Sequence, residues 1–216
     1  MAAVRMKPEY GPTLGQLLAP RWRRAPRAAR WAAICAGVAL AALALAAALT
    51  LESPTFSHGG SVPFSFSYRG LYRVAPAPGG YVEVAHRDAG GVLEDSYAVA
   101  PLELPPYTGE LTGELPLAAA GYIPRLARRM RGFVLEGEGQ TKVNGVYGYA
   151  VFYTAVLEGR QMWGRDVLLL PERAGARAGV VIEMLSSPRA SSVVRAPMEV
   201  GTAGLLAGPL KSFSFG

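Results

Sequence analysis

The chain has 216 residues, half of them apolar, and a formal net charge of +6 at pH 7. This length accommodates one domain beside shorter segments, and a basic charge of this size would ordinarily favour nucleic acid as a partner. Its only cysteine, Cys35, excludes an internal disulfide and a thiolate metal cluster.

Residues 1–30 hold the whole excess charge, with seven basic side chains and one acidic one. Four prolines and few apolar residues predict a disordered cytoplasmic tail. Because residues 52–216 have no net charge, lipid headgroups explain the basic tail better than nucleic acid does, and no nucleic-acid partner is predicted. The residues expected at the membrane surface are Arg21, Trp22, Arg23, Arg24, Arg27, Arg30 and Trp31.

Residues 31–51 contain no charged side chain and are predicted to form a transmembrane helix. A helix of this length spans about 30 Å, roughly the hydrocarbon thickness of a bilayer. Because Lys and Arg beside a span stay inside, we expect a single-pass protein of the cell membrane, with a cytoplasmic N-terminus and an extracytoplasmic C-terminal domain. Cleavage of the segment as a signal peptide at Ala46-Ala47-Ala48 is the alternative to a permanent signal-anchor.

The next stretch, residues 52–62, is rich in turn-forming residues and is predicted to be a linker. It leads to a predicted exported domain over residues 63–216. Apolar residues alternate with polar ones from Phe64 to Tyr68 and from Tyr81 to His86, which predicts two strands. Ser96–Leu104 is a third candidate strand, interrupted by Pro101.

Four more strands are predicted in succession, at residues 133–143, 146–157, 162–170 and 180–185. Asn144-Gly145 joins the first two, and Asn-Gly between strand-like runs is a strong hairpin signal. Short connections between all four strands require an antiparallel meander. Because Val146–Leu157 is apolar at almost every position, we expect both faces of the sheet to be covered.

Two helices are predicted to cover the sheet. The first extends from Leu115 to Phe133, and Pro124 either kinks it or begins a shorter helix. Its apolar face comprises Leu115, Ala119, Tyr122, Ile123, Leu126, Met130 and Phe133. The second extends from Met198 to Lys211 and is weakened by three glycines. The predicted fold class is therefore α+β, with an antiparallel meander between helices in an α/β/α sandwich.

A family resemblance rests on the Phe-x-Phe-x-Tyr strand at Phe64–Tyr68, the early helix, the antiparallel strands and the closing segment Leu210–Phe215. Together they resemble the PsbP-like superfamily over roughly residues 63–216. The resemblance implies an antiparallel sheet between helices and an anchored or lipidated bacterial protein that faces outward without catalytic activity. Arg69-Gly70 stands where the family usually has Pro and Trp, and no site motif matches, so no functional residue is carried over.

The sequence offers few candidates for catalytic or metal-binding residues. The two histidines, His58 and His86, lie far apart in sequence, and no Gly-x-Ser-x-Gly motif occurs. Glu136 and Glu138 form a dense acidic pair, which we interpret as part of a solvated edge strand, with a divalent cation site as the alternative. We predict no catalytic residue, no metal site and no cofactor.

The strongest candidate for a contact site in the predicted exported part is a dense group of four arginines, Arg125, Arg128, Arg129 and Arg131. The first three share the polar face of the predicted helix. They are predicted to contact an anionic lipid, an envelope polymer or an acidic protein, against the alternative of an ordinary solvated face. Trp163 is a second candidate contact residue, although a strand Trp is more often half-buried.

These observations predict a membrane-anchored binding or scaffold protein of the cell envelope, whose partner is a protein, a lipid or a polysaccharide. Arginine outnumbers lysine 19 to 3, which is typical of GC-rich bacterial genomes. Two alternatives stay open. One is an envelope enzyme, hydrolase-like, with a dispersed site. The other is an accessory subunit held in a membrane complex by close packing at Gly37-x-x-x-Ala41.

Overall fold

The computed structural model describes residues 26–51, 53–104, 111–172, 176–190 and 193–216. It comprises one unit that ends at Leu49 and a second from Thr50 to Gly216. Helix α1 spans Arg27–Leu51. Among the described residues, no helix combines the length and the apolar character needed to cross a membrane.

The second unit is an α+β domain built on two antiparallel sheets. Its strands are β1 Thr55–His58, β2 Phe64–Ser67, β3 Arg73–Ala75, β4 Val82–Arg87, β5 Leu93–Glu103, β6 Val134–Val143, β7 Val146–Leu157, β8 Arg160–Leu169, β9 Ala178–Ser186 and β10 Ser214–Phe215. Its helices are α2 Leu111–Arg129, a 3-10 helix Pro197–Glu199 and α3 Ala207–Ser212.

The larger sheet has seven strands in the order β3-β4-β5-β9-β8-β7-β6. Strands β6 to β9 pair consecutively and antiparallel, so the predicted meander is confirmed. Strand β5 continues through Pro101, which lies opposite Val180 on β9, so the proline does not interrupt the strand as predicted. The smaller sheet has the order β1-β2-β10.

The hairpin predicted at Asn144-Gly145 is confirmed by its backbone. Both central residues have positive φ, 46° for Asn144 and 90° for Gly145, as a type I′ turn requires. The next hairpin, between β7 and β8, also has positive φ at both central residues, 51° for Glu158 and 76° for Gly159. These two turns match the right-handed twist of the flanking strands and fix the register of β6, β7 and β8.

Replacing Gly145 by Val should lower the free energy of unfolding of the fragment 53–216 by about 1–3 kcal/mol. A Cβ at this position meets no atom within 4 Å, so the whole cost comes from forcing a β-branched residue to positive φ. Gly145→Ala should cost less, because it adds no branch at Cβ. Chemical denaturation measures both changes, and equal stability of Gly145→Val and the parent would contradict the role of this turn.

Two buried clusters form the core, one on each face of the larger sheet. On the first face, α2 packs Leu115, Ala119, Tyr122 and Leu126 against strands β7, β8 and β9, so the predicted apolar face of the helix is confirmed. On the second face, Phe64 and Phe66 of the smaller sheet pack with Phe213 and Leu210 against β4, β5, β8 and β9. The described buried residues of the two clusters lie between Val62 and Phe213, inside the fragment 53–216.

Three details of the predicted fold are wrong. Helix α2 spans Leu111–Arg129 instead of Leu115–Phe133, and because Pro124 lies inside it, the alternative of a shorter helix that begins at Pro124 is excluded. No continuous helix spans Met198–Lys211, because Gly201 and Gly204 adopt positive φ between the 3-10 helix and α3. The second face of the sheet is covered mainly by the three-stranded sheet instead of a long helix, so the α/β/α sandwich is incomplete.

The stretch predicted as a linker, residues 52–62, contains strand β1. Thr55–His58 pair antiparallel with Ser67–Phe64 of β2, and the Phe56 ring lies 5.6 Å from the Phe66 ring. Strand β1 therefore forms by pairing with a strand that follows it in the chain. Every second residue of β1, Phe56 and His58, is partly buried.

Candidate functional site

The arginines singled out in the sequence lie at the C-terminal end of α2. Arg125 and Arg128 are exposed on the helix, and Arg131 is exposed just after it. In the described part of the chain, none of these three arginines has an ion-pair partner. Arg129 differs, because its guanidinium donates a hydrogen bond of 2.6 Å to Oε1 of Glu183 on β9. We call these four residues the arginine face.

Behind Arg129 lies a polar cluster that the sequence did not predict. Asp166 on β8 stands directly opposite Glu183 on β9, so the two carboxyl groups point to the same face of the sheet, towards α2. Asp166 is completely buried, whereas the Glu183 side chain keeps 22% of its surface exposed. Tyr122 of α2 and Tyr153 of β7 complete the cluster.

Both tyrosines contact the buried carboxyl group. Oη of Tyr153 donates to Oδ1 of Asp166 at 3.1 Å. Oη of Tyr122 lies 2.6 Å from Oδ2 of Asp166 and 3.1 Å from Oε1 of Glu183. These bonds join one helix and three strands, because Tyr122 comes from α2, Tyr153 from β7, Asp166 from β8 and Glu183 from β9.

Burial, and next the adjacent Glu183 carboxylate, raise the pKa of Asp166 from 3.8 to about 8, although the two tyrosine hydrogen bonds and Arg129 oppose the shift. The geometry supports a protonated Asp166 at neutral pH. Tyr122 has one hydroxyl proton and two carboxyl neighbours. When Asp166 is protonated, it donates a hydrogen bond to Tyr122 Oη, and Tyr122 donates one to Glu183. Both contacts of Tyr122 Oη are then hydrogen bonds.

The raised pKa of Asp166 affects the charge beneath α2. Glu183 neutralises Arg129, but Asp166 contributes no second negative charge beneath the helix. Among the described residues, no ion pair compensates the charges of Arg125, Arg128 and Arg131. The arginine face is a cationic surface that suits phosphate, sulfate or carboxylate groups, which arginine binds in a bidentate manner.

The other predicted contact residue, Trp163, does not join this surface. It lies on β8 at an odd-numbered position, and side chains of a strand alternate between faces. Trp163 is half-buried against the core cluster of the second face, as is usual for a strand tryptophan. On that same face Arg165 is buried, donating to the Val200 carbonyl oxygen and to Oγ1 of Thr141.

The acidic pair predicted to lie on a solvated edge strand does so. Glu136 and Glu138 are exposed on β6, which is the last strand of the larger sheet. The register shifts between Leu135 and Gly137, which places Glu136 in a bulge. Within the described ranges, no group of three His, Cys, Asp or Glu side chains is arranged to hold a metal ion.

Of the residues expected at the membrane surface, Arg21, Trp22, Arg23 and Arg24 lie outside the described residues. Arg27, Arg30 and Trp31 are in α1, where Arg27 and Trp31 are exposed. The described apolar side chains of α1 are also exposed: Ile34, Val38, Leu40 and Leu43 keep between 46% and 70% of their surface. The described part of α1 thus exposes apolar side chains that no other described residue covers.

Sequence could have indicated one member of the polar cluster. Asp166 interrupts a run that is otherwise largely apolar, from Met162 to Leu170, in a strand expected to be covered on both faces. A charged residue at such a position is buried, and buried charges need partners. Its partners could not be found in this way, because Tyr122 and Tyr153 precede it by 44 and 13 residues.

Comparison with known proteins shows similarity in fold. LpqN, involved in cell envelope biogenesis of Mycobacterium tuberculosis, is 10% identical, with a TM-score of 0.50 over 76% of this chain and 91% of LpqN. Cyanobacterial PsbP (CyanoP) from Synechocystis sp. PCC 6803 is 12% identical, with a TM-score of 0.49 over 76% and 92% of the two chains. No protein-family model and no curated protein matches the chain. The antiparallel α+β fold is consistent with the PsbP-like resemblance.

Proposed function

We propose that the chain is a single-pass, membrane-anchored binding protein of the bacterial cell envelope, with its domain outside the cytoplasm. The arginine face is its contact surface, and an anionic lipid headgroup of the envelope is its partner. One observation carries the binding proposal. Arg125, Arg128 and Arg131 are exposed and have no ion-pair partner in the described part of the chain, while the Asp166 carboxyl group on the sheet face under α2 has a pKa that burial raises.

Two observations support the anchor. All of the net charge lies in residues 1–30, immediately before 21 residues without a charge. The described apolar residues of α1, among them Ile34, Val38 and Leu40, are exposed, and a helix with this much apolar surface is usually buried in a protein core or a bilayer. An envelope location also agrees with the fold shared with LpqN, a protein of cell envelope biogenesis.

The enzyme alternative has one observation in its favour. A carboxyl group with a raised pKa beside a second carboxylate is a common arrangement for acid–base catalysis. However, Asp166 is completely buried, and hydroxyl groups of Tyr122 and Tyr153 occupy its two oxygens. No substrate group reaches it in this arrangement. The cluster is therefore better explained as a hydrogen-bond network that fixes α2, and with it the arginine face, on the sheet.

Alkaline phosphatase fused after Gly216 should be active in living cells, because the enzyme matures only outside the cytoplasm and the basic tail should stay inside. The matched control is a fusion after Pro26, which keeps the reporter on the cytoplasmic side and should be inactive. Activity per unit of fusion protein is the measurement. An inactive Gly216 fusion that is expressed at the level of the control would overturn the orientation.

The double reversal Arg125→Glu/Arg128→Glu should weaken binding of the fragment 53–216 to anionic phospholipid vesicles at least tenfold, since each basic residue near such a surface contributes about 1 kcal/mol. Vesicle co-sedimentation at low salt measures the change. Arg69→Glu/Arg73→Glu is the matched control, because both residues are exposed at the opposite end of the sheet order. Equal binding by the two variants would exclude the arginine face as the contact surface.

A further inference from the structure

Strand β6 forms one edge of the larger sheet, and no described strand pairs with its outer side. The other described strands at the edge of a sheet are short: β3 has three residues, β1 has four and β10 has two. Strand β6 has ten. An edge of this length presents a row of unpaired N–H and C=O groups, which proteins usually avoid by keeping edge strands short or covered. The outer side of β6 is therefore a surface on which a further strand can pair.

The hairpin between β6 and β7 determines which backbone groups of β6 face outwards. Val143 and Val146 flank its two-residue turn and form a hydrogen-bonded pair, and the two kinds of pair alternate from there along both strands. The N–H and C=O groups of Glu138, Gln140 and Lys142 therefore point away from β7. Among the described residues, no backbone group outside the two strands bonds to them. The side chains of these three residues are also exposed.

The regular part of β6 has Gln140 at its centre. A bulge at Glu136 ends the regular pairing on one side, and the turn that follows Val143 ends it on the other. Residues 137–143 remain between them. A second copy of the chain that pairs antiparallel along this whole segment must place its own Gln140 opposite Gln140 of the first copy, on a twofold axis. In this register the outward groups of residues 138, 140 and 142 meet outward groups of the other copy.

The same register brings opposite charges together. It places Glu138 of each copy opposite Lys142 of the other copy, so two Glu–Lys pairs cross the interface. Opposite charges that face each other on paired strands are stabilising, whereas like charges are destabilising. Registers that place Glu138 or Lys142 on the axis bring like charges together. The intermediate registers pair Gln140 with one of the charged residues and lose both Glu138–Lys142 pairs.

The remaining pairs of this register fit sterically. Gly139 stands opposite Thr141 of the other copy, and Gly137 stands opposite Val143. These are non-hydrogen-bonded pairs, in which side chains come closest to each other. A Cβ added at either glycine would meet no atom within 4 Å, so the space for a facing β-branched side chain is open on this side.

We propose that β6 is a homodimer interface, at which two copies of the chain join their larger sheets through antiparallel β6 strands with Gln140 on the twofold axis. Backbone hydrogen bonds of Glu138, Gln140 and Lys142 hold the two strands together, and the Glu–Lys pairs select the register. The inference does not rest on the proposed function, because no residue of the arginine face takes part in the pairing.

Single cysteines test the register in the full-length chain, purified in detergent micelles with Cys35→Ala. Two residues of a hydrogen-bonded antiparallel pair have Cα atoms about 5.5 Å apart, a distance that a disulfide spans. Gln140→Cys should therefore give a disulfide-linked dimer on mild oxidation, seen by non-reducing electrophoresis. Glu138→Cys and Lys142→Cys should not cross-link separately, because each lies about 13 Å along the strands from its own copy, but a mixture of the two should. Arg73→Cys, exposed on the edge strand β3, is the matched control for random collision.

Charge reversal tests the Glu–Lys pairs. Glu138→Lys and Lys142→Glu each put like charges opposite one another at both sites and should weaken self-association, measured by analytical ultracentrifugation, by about tenfold or more. The double variant Glu138→Lys/Lys142→Glu should regain it, and so should an equimolar mixture of the two single variants, which separates a charge effect from misfolding. The proposal is overturned if Gln140→Cys cross-links no faster than Arg73→Cys or than Glu138→Cys alone. It is also overturned if single reversals leave self-association unchanged, or if the double variant does not regain it.

Discussion

Replacing Gly164 by Ala should destabilise the fragment 53–216 by roughly 3 kcal/mol, at the upper end of the range for overpacking a core. Gly164 lies on β8 directly opposite Tyr153 on β7, whose ring covers it. An added Cβ would approach Cζ of Tyr153 to 2.2 Å. The ring is completely buried and cannot move aside freely, so the strands must separate or the ring must leave its rotamer.

The displacement should also damage the polar cluster, because the hydroxyl group of Tyr153 donates to Asp166. A shift of the ring lengthens that bond and leaves a buried carboxyl oxygen with one partner fewer. In a domain of this size the expected loss lowers the melting temperature by about 6–12 °C. Differential scanning calorimetry of the fragment is the direct measurement.

Two variants make this result specific. Gly139→Ala is the matched control, since Gly139 is also a strand glycine and an added Cβ there meets nothing within 4 Å. It should change stability by less than about 0.5 kcal/mol. In a Tyr153→Val background the cost of Gly164→Ala should fall, because the clashing ring is gone. An unchanged cost in that background would show that the ring is not the cause.

Local signals explain why much of the sheet was predictable. Strand β7 was placed at its observed bounds because Asn144-Gly145 and Glu158-Gly159 mark its two ends and apolar residues fill the interval. The apolar face of α2 was also predictable, because its apolar residues recur every three or four positions, as in Leu115, Ala119, Tyr122 and Leu126. Both patterns depend only on residues close together in the chain.

The missed features depend on residues that are distant in sequence. Strand β1 has only four residues and is formed by pairing with β2, so nothing within Thr55–His58 distinguishes it from a turn-rich linker. The polar cluster requires the β8–β9 register to place Asp166 opposite Glu183, and α2 to cross above them with Tyr122 facing inward. Sequence reasoning found the arginines but not the acidic group that distinguishes Arg129 from the others.

Asp166→Asn should remove most of the decrease in stability that the wild-type fragment shows as the pH rises from about 4 to about 8. Burial and Glu183 raise the pKa of Asp166 in the folded protein to about 8, whereas an unfolded aspartate has a pKa of about 3.9. Between these values the folded state binds one more proton than the unfolded state. The stabilisation by the protonated carboxyl group is therefore complete below pH 4 and is lost as the pH rises towards 8.

The slope for one such proton is at most about 1.4 kcal/mol per pH unit. The groups that face Asp166 are Glu183 from β9, Tyr122 and Arg129 from α2 and Tyr153 from β7, and all of them stay in the variant. Asparagine keeps the shape of the neutral carboxyl group and can donate to Tyr122, so the variant should fold. Urea denaturation at successive pH values gives the two stability curves.

Asp88→Asn is the control of opposite sign, because backbone hydrogen bonds, the first of them from Val92, lower the pKa of Asp88. The Asp88 carboxylate stabilises the folded state at every pH above the pKa of an unfolded aspartate, and this stabilisation is lost only at lower pH. Removing the carboxylate should therefore leave the pH dependence of the free energy of unfolding unchanged above about pH 5. Parallel curves for wild type and Asp166→Asn would mean that Asp166 is ionised in the folded protein. A second negative charge would then lie beneath α2, the arginine face would lose one unit of its positive charge, and binding there to anionic vesicles should be correspondingly weak.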